Sequence, residues 1–95
     1  MPDNTGLPVV LTEAAIADMS GIGRRIAERA GVAVAEAYVS RIEAACYRLG
    51  TFPNRGTPRF DVQAGVRTVA FERRITLAYR VEDGAVSILI PSLID

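Results

Sequence analysis

The stretch Ile75-Thr76-Leu77-Ala78-Tyr79-Arg80-Val81-Glu82-Asp83-Gly84-Ala85-Val86-Ser87-Ile88-Leu89-Ile90 decides the fold. Ile75, Leu77, Tyr79 and Val81 alternate with Thr76, Ala78 and Arg80, Glu82-Asp83-Gly84 turns the chain, and Val86, Ile88 and Ile90 alternate again. A period of two on both sides of a Gly-containing turn reads as a β-hairpin with one buried face. Just upstream, Val66-Arg67-Thr68-Val69-Ala70-Phe71 supplies a further strand, joined through Glu72-Arg73-Arg74. Together these segments predict a three-stranded antiparallel meander.

Toward the N-terminus the pattern changes. Thr51 to Gly65 holds Pro53, Gly56 and Pro58 and reads as an ordered irregular connection. Before it, Val34, Tyr38, Ile42, Ala45 and Leu49 recur at helical spacing, predicting a helix over about Ala33 to Leu49 that Gly50 stops. Ile16, Met19, Ile22 and Ile26 mark an earlier helix from about Glu13 to Ala30, closed by Gly31. Thr12 offers it an N-cap hydroxyl, and Glu13 and Asp18 put negative charge near the positive end of its dipole. Gly21 and Gly23 each cost about 1 kcal/mol against Ala, which predicts a weak middle or the close approach of another backbone. Only Gly31 and Val32 lie between the helices, so they fold back as a hairpin. Leu7-Pro8-Val9-Val10-Leu11, with its proline, suits an opening edge strand. The expected class is α+β in a single domain over residues 1–95: a short N-terminal strand, a helical hairpin, then the meander packed against the helices.

The 95 residues fit one core, and 49% apolar residues with no Trp make that core aliphatic, with material left over to line a groove. The longest apolar runs are too short to cross a bilayer and the N-terminus lacks a signal-like h-region, so a soluble, cytoplasmic protein is expected. One cysteine, Cys46, and no histidine argue against a disulfide and against the usual zinc, haem and histidine-based catalytic sites; no metal and no cofactor is expected. All eleven basic residues are Arg, balanced by eleven carboxylates. The balance hides segregation, because every Arg lies between Arg24 and Arg80 while residues 1–23 and 81–95 carry only acids. Permanent planar cations gathered near one sheet favour binding over acid–base chemistry.

In this order, strand, helical hairpin, Pro/Gly connection and meander resemble the ParE/RelE superfamily of bacterial toxins, its ParE branch in particular. The residues that carry the resemblance are Leu11-Thr12-Glu13-Ala14-Ala15-Ile16-Ala17-Asp18-Met19, Ile26-Ala27-Glu28-Arg29, Arg41-Ile42-Glu43-Ala44-Ala45-Cys46, Leu49-Gly50-Thr51-Phe52-Pro53-Asn54-Arg55-Gly56, Gly65-Val66-Arg67 and Ala78-Tyr79-Arg80-Val81. Two features depart from the family pattern. Gly21 to Arg25 stands where one or two aromatics are usual, and Ile90-Pro91-Ser92-Leu93-Ile94-Asp95 stands where a basic tail is common. The resemblance implies the toxin of a type II toxin–antitoxin system, acting on DNA gyrase and neutralised in a hetero-oligomer by a ParD-like antitoxin. It also leaves open a RelE-type ribosome-dependent mRNA interferase, or a member that has lost its poison and only binds antitoxin.

Met19, Ile22, Ile26, Tyr38 and Ile42 are the candidates for an antitoxin groove, with a plain core role as the alternative. Arg55, Arg59, Arg67, Arg73, Arg74 and Arg80 are the candidates for holding the target through bidentate bonds, Arg67 and Arg80 together on the outer face of the sheet. The alternative pairs them with Glu72, Glu82 or Asp61 and leaves Arg55-Gly56-Thr57-Pro58-Arg59 structural, Gly56 turning the chain and Arg55 holding loop carbonyls. Tyr79 and Cys46 read as core residues. RNA cleavage would need a proton acceptor and donor, roles Arg cannot fill, and only Glu72, Glu82 and Tyr79 are near enough to serve. No catalytic residue is assigned.

Overall fold

The structure, a computed structural model, describes residues 6–59, 65–73 and 75–93. Chain order is β1 (Val9–Leu11), α1 (Glu13–Ala30), α2 (Val32–Thr51), β2 (Thr57–Pro58), β3 (Val66–Phe71), β4 (Ile75–Glu82) and β5 (Ala85–Leu93). The strands form one sheet in the order β1-β5-β4-β3-β2. The expected meander is β3-β4-β5, antiparallel throughout. β1 lies parallel beside β5, with Val9, Val10 and Leu11 opposite Val86, Ser87 and Ile88. β2 was not foreseen. It is two residues long, pairs with Thr68 and Arg67 on β3, and its proline is tolerated because it lies at the edge.

Thr12 joins the two layers. Its hydroxyl oxygen accepts from Ala15 N at 3.2 Å, capping α1, and its O–H donates to Ile88 O at 2.7 Å. Ile88 O also accepts from Thr12 N at 3.2 Å. The register between β4 and β5 slips beside this point, between Ala78 and Tyr79, so Leu89 is the extra residue of a bulge. Gly31 ends α1 at φ 98, its N–H donating to Ala27 O at 3.0 Å, and α2 starts at the next residue. A residue with positive φ between two helices forces the reversal that makes the hairpin.

The second helix differs from expectation at its end. Gly50 does not stop it; α2 continues to Thr51, and Gly50 is buried where the N-terminal segment crosses. Leu7 N donates to Gly50 O at 2.8 Å, and a Cβ on Gly50 would collide with the Leu7 carbonyl oxygen. The glycine is spent on close approach rather than on a cap. In α1 the reverse holds: no backbone approaches Gly21 or Gly23, and the nearest atom to a Cβ on Gly23 would be Val39 Cγ2 at 3.2 Å.

Ala15, Met19 and Ile22 of α1 and Ile42, Cys46 and Leu49 of α2 pack on Ile75, Leu77, Tyr79, Val86 and Ile88 of the sheet. Burying each large aliphatic side chain contributes roughly 1.5–3 kcal/mol, so this layer contact is the main source of stability. No helix among the described residues is long and apolar enough to cross a membrane.

Candidate functional site

Two grooves flank the helical hairpin. The first, about 660 Å³, lies between the second half of α1 and the first half of α2. Ile22, Ile26, Val34 and Tyr38 give it an apolar lining, and Arg25, Arg29 and Arg41 ring it. The second, about 720 Å³, is lined by Leu11, Ile16, Met19 and Val39, with Glu36 and Glu43 set against Arg24. Both exist because the hairpin is apolar on more of its circumference than one sheet can cover; Ile16 and Val34 are each 51% exposed.

The candidate antitoxin residues distribute unevenly. Ile22, Ile26 and Tyr38 come together in the basic groove, and Met19 lines the other. Met19 and Ile22 are nearly buried, so each presents only an edge, whereas Ile42 is fully enclosed and lines neither groove. Sequence reading missed Arg25, Arg29 and Arg41. Arg25 and Arg29 stand one turn apart on α1 beside Ile22 and Ile26, and that i, i+4 spacing was the available signal.

Arg41 is fixed in place. Its Nε donates to Glu72 Oε2 at 2.9 Å and its Nη2 to Glu72 Oε1 at 3.3 Å, a bidentate fork across to the β3–β4 turn. The guanidinium lies 5.0 Å above the Tyr38 ring, which meets Phe71 edge-on at 5.9 Å. The Glu72 hydrogen bond raises the pKa of Arg41, desolvation opposes it, and the charge is permanent.

The candidate target arginines do not form one array. Opposite residues of an antiparallel pair share a face, and Arg67 stands opposite Tyr79 while Arg80 stands opposite Val66. Arg67 and Arg80 therefore point to opposite faces of the sheet, which corrects the expectation that both face outward. Arg67 turns inward and Nη1 donates to Gly56 O at 2.8 Å and Asn54 O at 3.3 Å. It holds the loop carbonyls that Arg55 was expected to hold. Arg80 Nε lies 3.4 Å from Glu82 Oε1, an ion pair without a hydrogen bond. Arg73 sits in the β3–β4 turn at φ 61, Arg55 is exposed, and Arg59 is half-buried, its backbone N–H donating to Val66 O at 2.8 Å. Arg74 and Asp61 lie outside the described residues.

Tyr79 is fully buried and binds the same loop as Arg67. Its hydroxyl accepts from Gly56 N at 2.8 Å and donates to Pro53 O at 2.9 Å. The three candidate proton carriers are thus apart: Tyr79 is inside, Glu72 is held by Arg41 before β4 begins, and Glu82 pairs with Arg80 where β4 ends. Cys46 is buried, its thiol pushed up to about 11 by desolvation, with Glu43 adding to the shift. Among the described residues no group of His, Cys, Asp and Glu could hold a metal ion.

Known proteins resemble this chain in sequence and fold. Residues 9–90 match the family model of the ParE toxin of the type II toxin–antitoxin system parDE. Toxin ParE3 of Caulobacter vibrioides is 38% identical over 60 residues, covering 63% of this chain and 60% of that toxin's length, less than two thirds of it. Among solved structures, the chromosomal ParDE system of P. aeruginosa aligns with a TM-score of 0.83 at 25% identity, over 97% of this chain and 100% of that one. The RelBE2 toxin–antitoxin complex of Mycobacterium tuberculosis shares the fold, with a TM-score of 0.71 and 22% identity over 94% and 99% of the two chains. With the match running from β1 into β5, the chain belongs to the ParE toxin family of type II toxin–antitoxin systems.

Proposed function

We propose that the chain poisons its target by stoichiometric binding in the cytoplasm, with DNA gyrase as that target, and that a ParD-like antitoxin silences it in a hetero-oligomer. The observation that carries the antitoxin half is the groove lined by Ile22, Ile26, Val34 and Tyr38 and ringed by Arg25, Arg29 and Arg41. An apolar floor with a cationic rim suits an amphipathic segment that places aliphatic side chains at helical spacing and carboxylates along its flanks. A segment disordered when free would gain its order there. The engagement of Tyr79 with the Gly56 loop, Glu72 with Arg41 and Glu82 with Arg80 supports binding over cleavage, because each candidate proton carrier is already held by a partner within the chain.

Expression in bacteria with and without a ParD-like partner tests the reading. Growth arrest relieved by co-expression, and loss of that relief with Ile26→Glu, are the expected outcomes. The absence of both arrest and a co-purifying complex would sink it. Supercoiling by purified gyrase should fall in proportion to added toxin rather than with time, whereas progressive RNA cleavage on ribosomes would point to the interferase.

A further inference from the structure

The end of α2 carries a second surface, away from the basic groove. From Ala44 to Arg59 the chain has Arg48, Arg55 and Arg59 and no carboxylate. Phe52 caps α2 there and is 59% exposed. The Phe52 N–H donates to Arg48 O at 3.1 Å, which sets the two residues one turn apart at the end of the helix. Arg48 and Arg55 both line a shallow hollow of about 50 Å³ between α2 and β3, with Ala45, Val69 and Ala70 beside them. Both are exposed, and neither forms an ion pair among the described residues.

The loop that carries Arg55 is fixed from below. Tyr79 holds Pro53 and Gly56, and Arg67 holds Asn54 and Gly56, so four bonds to the backbone set the position of the residue between them. The surface thus offers an exposed aromatic and two forked cations on a backbone that does not have to be ordered on binding, which lowers the entropic cost of association. Arg and aromatic residues dominate the energetics of protein interfaces.

We propose that Arg48, Phe52 and Arg55 form the surface on which the target docks, and that it takes an acidic patch of a folded protein. The inference rests on the reading of this chain as a binding toxin. The absence of any carboxylate from residues 44–59 sets the sign of the partner, and each guanidinium takes a carboxylate bidentately. A protein is favoured over a nucleic acid by the charge of the whole chain. Eleven carboxylates cancel the eleven arginines, so the long-range field that gathers a polyphosphate is missing, while a local cationic spot still matches a local anionic one.

The experiment compares the parent chain with Arg48→Glu/Arg55→Glu and with Phe52→Ala, using gyrase supercoiling, co-purification of the ParD-like antitoxin and circular dichroism. Each variant should stay folded and keep its antitoxin. The charge-reversed pair should need about 30-fold more protein for equal inhibition of gyrase, the size of a hot-spot loss. Undiminished inhibition overturns the proposal. So does loss of the antitoxin together with inhibition, which would make the surface part of the antitoxin site, or tight binding of a 20-nucleotide RNA that the same substitutions abolish. If the parent leaves gyrase untouched, the functional reading fails, and the surface is judged by NMR titration of the full chain with hexaglutamate. Shifts centred on Arg48, Phe52 and Arg55 uphold it; shifts centred on Arg24, Arg25 and Arg29 overturn it.

Discussion

The two ends of α2 obey different rules. Near Phe52 the chain is closely tied: a tyrosine hydroxyl and a guanidinium from neighbouring strands bind one loop through four bonds, and Gly56 fits against Tyr79 with no space for a side chain. Near Val32 the helices turn through one glycine, nothing lies within 4 Å of a Cβ on it, and apolar side chains from both helices stand in open grooves. The contrast separates residues that hold the fold from residues that the isolated fold does not use. Substitutions at the tied end should register in stability, and those at the open end in the affinity of a partner.

The severest test of the tied end is Gly56→Ala. Its Cβ would lie 2.7 Å from Tyr79 Oη and 2.8 Å from Thr68 O, so the loop must move off the bonds that hold it. Overpacking of this kind costs about 1–3 kcal/mol, and with the hydrogen bond to Tyr79 also disturbed we expect about 3 kcal/mol in urea unfolding. A loss below about 1 kcal/mol would mean that the loop is free to shift, and the contrast between the two ends would collapse.

Tyr79→Phe asks how much of that effect is the hydroxyl alone. The ring stays in the core, but the buried Gly56 N–H and the Pro53 carbonyl lose their partner. An unsatisfied buried donor costs about 1–3 kcal/mol, so a drop of about 2 kcal/mol is expected in urea unfolding.

The core between the two ends gives a pH test through Cys46. Its thiol is raised from an ordinary 9.0 to about 11 in the folded protein, chiefly by burial. Between these values the unfolded chain has released the proton and the folded chain still binds it, so stability is complete below pH 9 and falls as pH rises toward 11. The slope approaches about 1 kcal/mol per pH unit. Cys46→Ala should flatten that part of the urea-midpoint profile relative to the parent, and identical slopes would refute the burial argument.

The layers were legible in the sequence because each reports its own period. Alternation from Ile75 to Val81 and again from Val86, and helical spacing of Met19, Ile22 and Ile26, are consequences of facing one shared core. What could not be read was which strands share an edge and which face a lone polar residue takes. β2 is two residues at the margin of the sheet, too short to show a period. Arg67 and Arg80 are both single arginines within apolar strands, and the register that separates them is set by the turn at Glu72 and Arg73, both at positive φ. Gly50 showed the same limit. A glycine near a helix end reads as a stop, and only the crossing of Leu7 reveals that its missing side chain serves a packing contact.

The open end is sharpened by the smallest expected change in stability. Arg25 and Arg29 are exposed and make no ion pair among the described residues, although Glu28 lies close in sequence to both. Replacing both by Gln keeps helix propensity nearly level, so the urea midpoint should stay within measurement error. Rim charges act mainly on encounter, by steering an oppositely charged partner before contact. Association of the double variant with a ParD-like antitoxin should therefore slow about tenfold at low salt and lose most of its salt dependence, while dissociation changes little. Stopped-flow traces at two ionic strengths distinguish the cases: a changed dissociation rate with an unchanged association rate would place these arginines inside the contact, and no change in either would return them to the solvated surface.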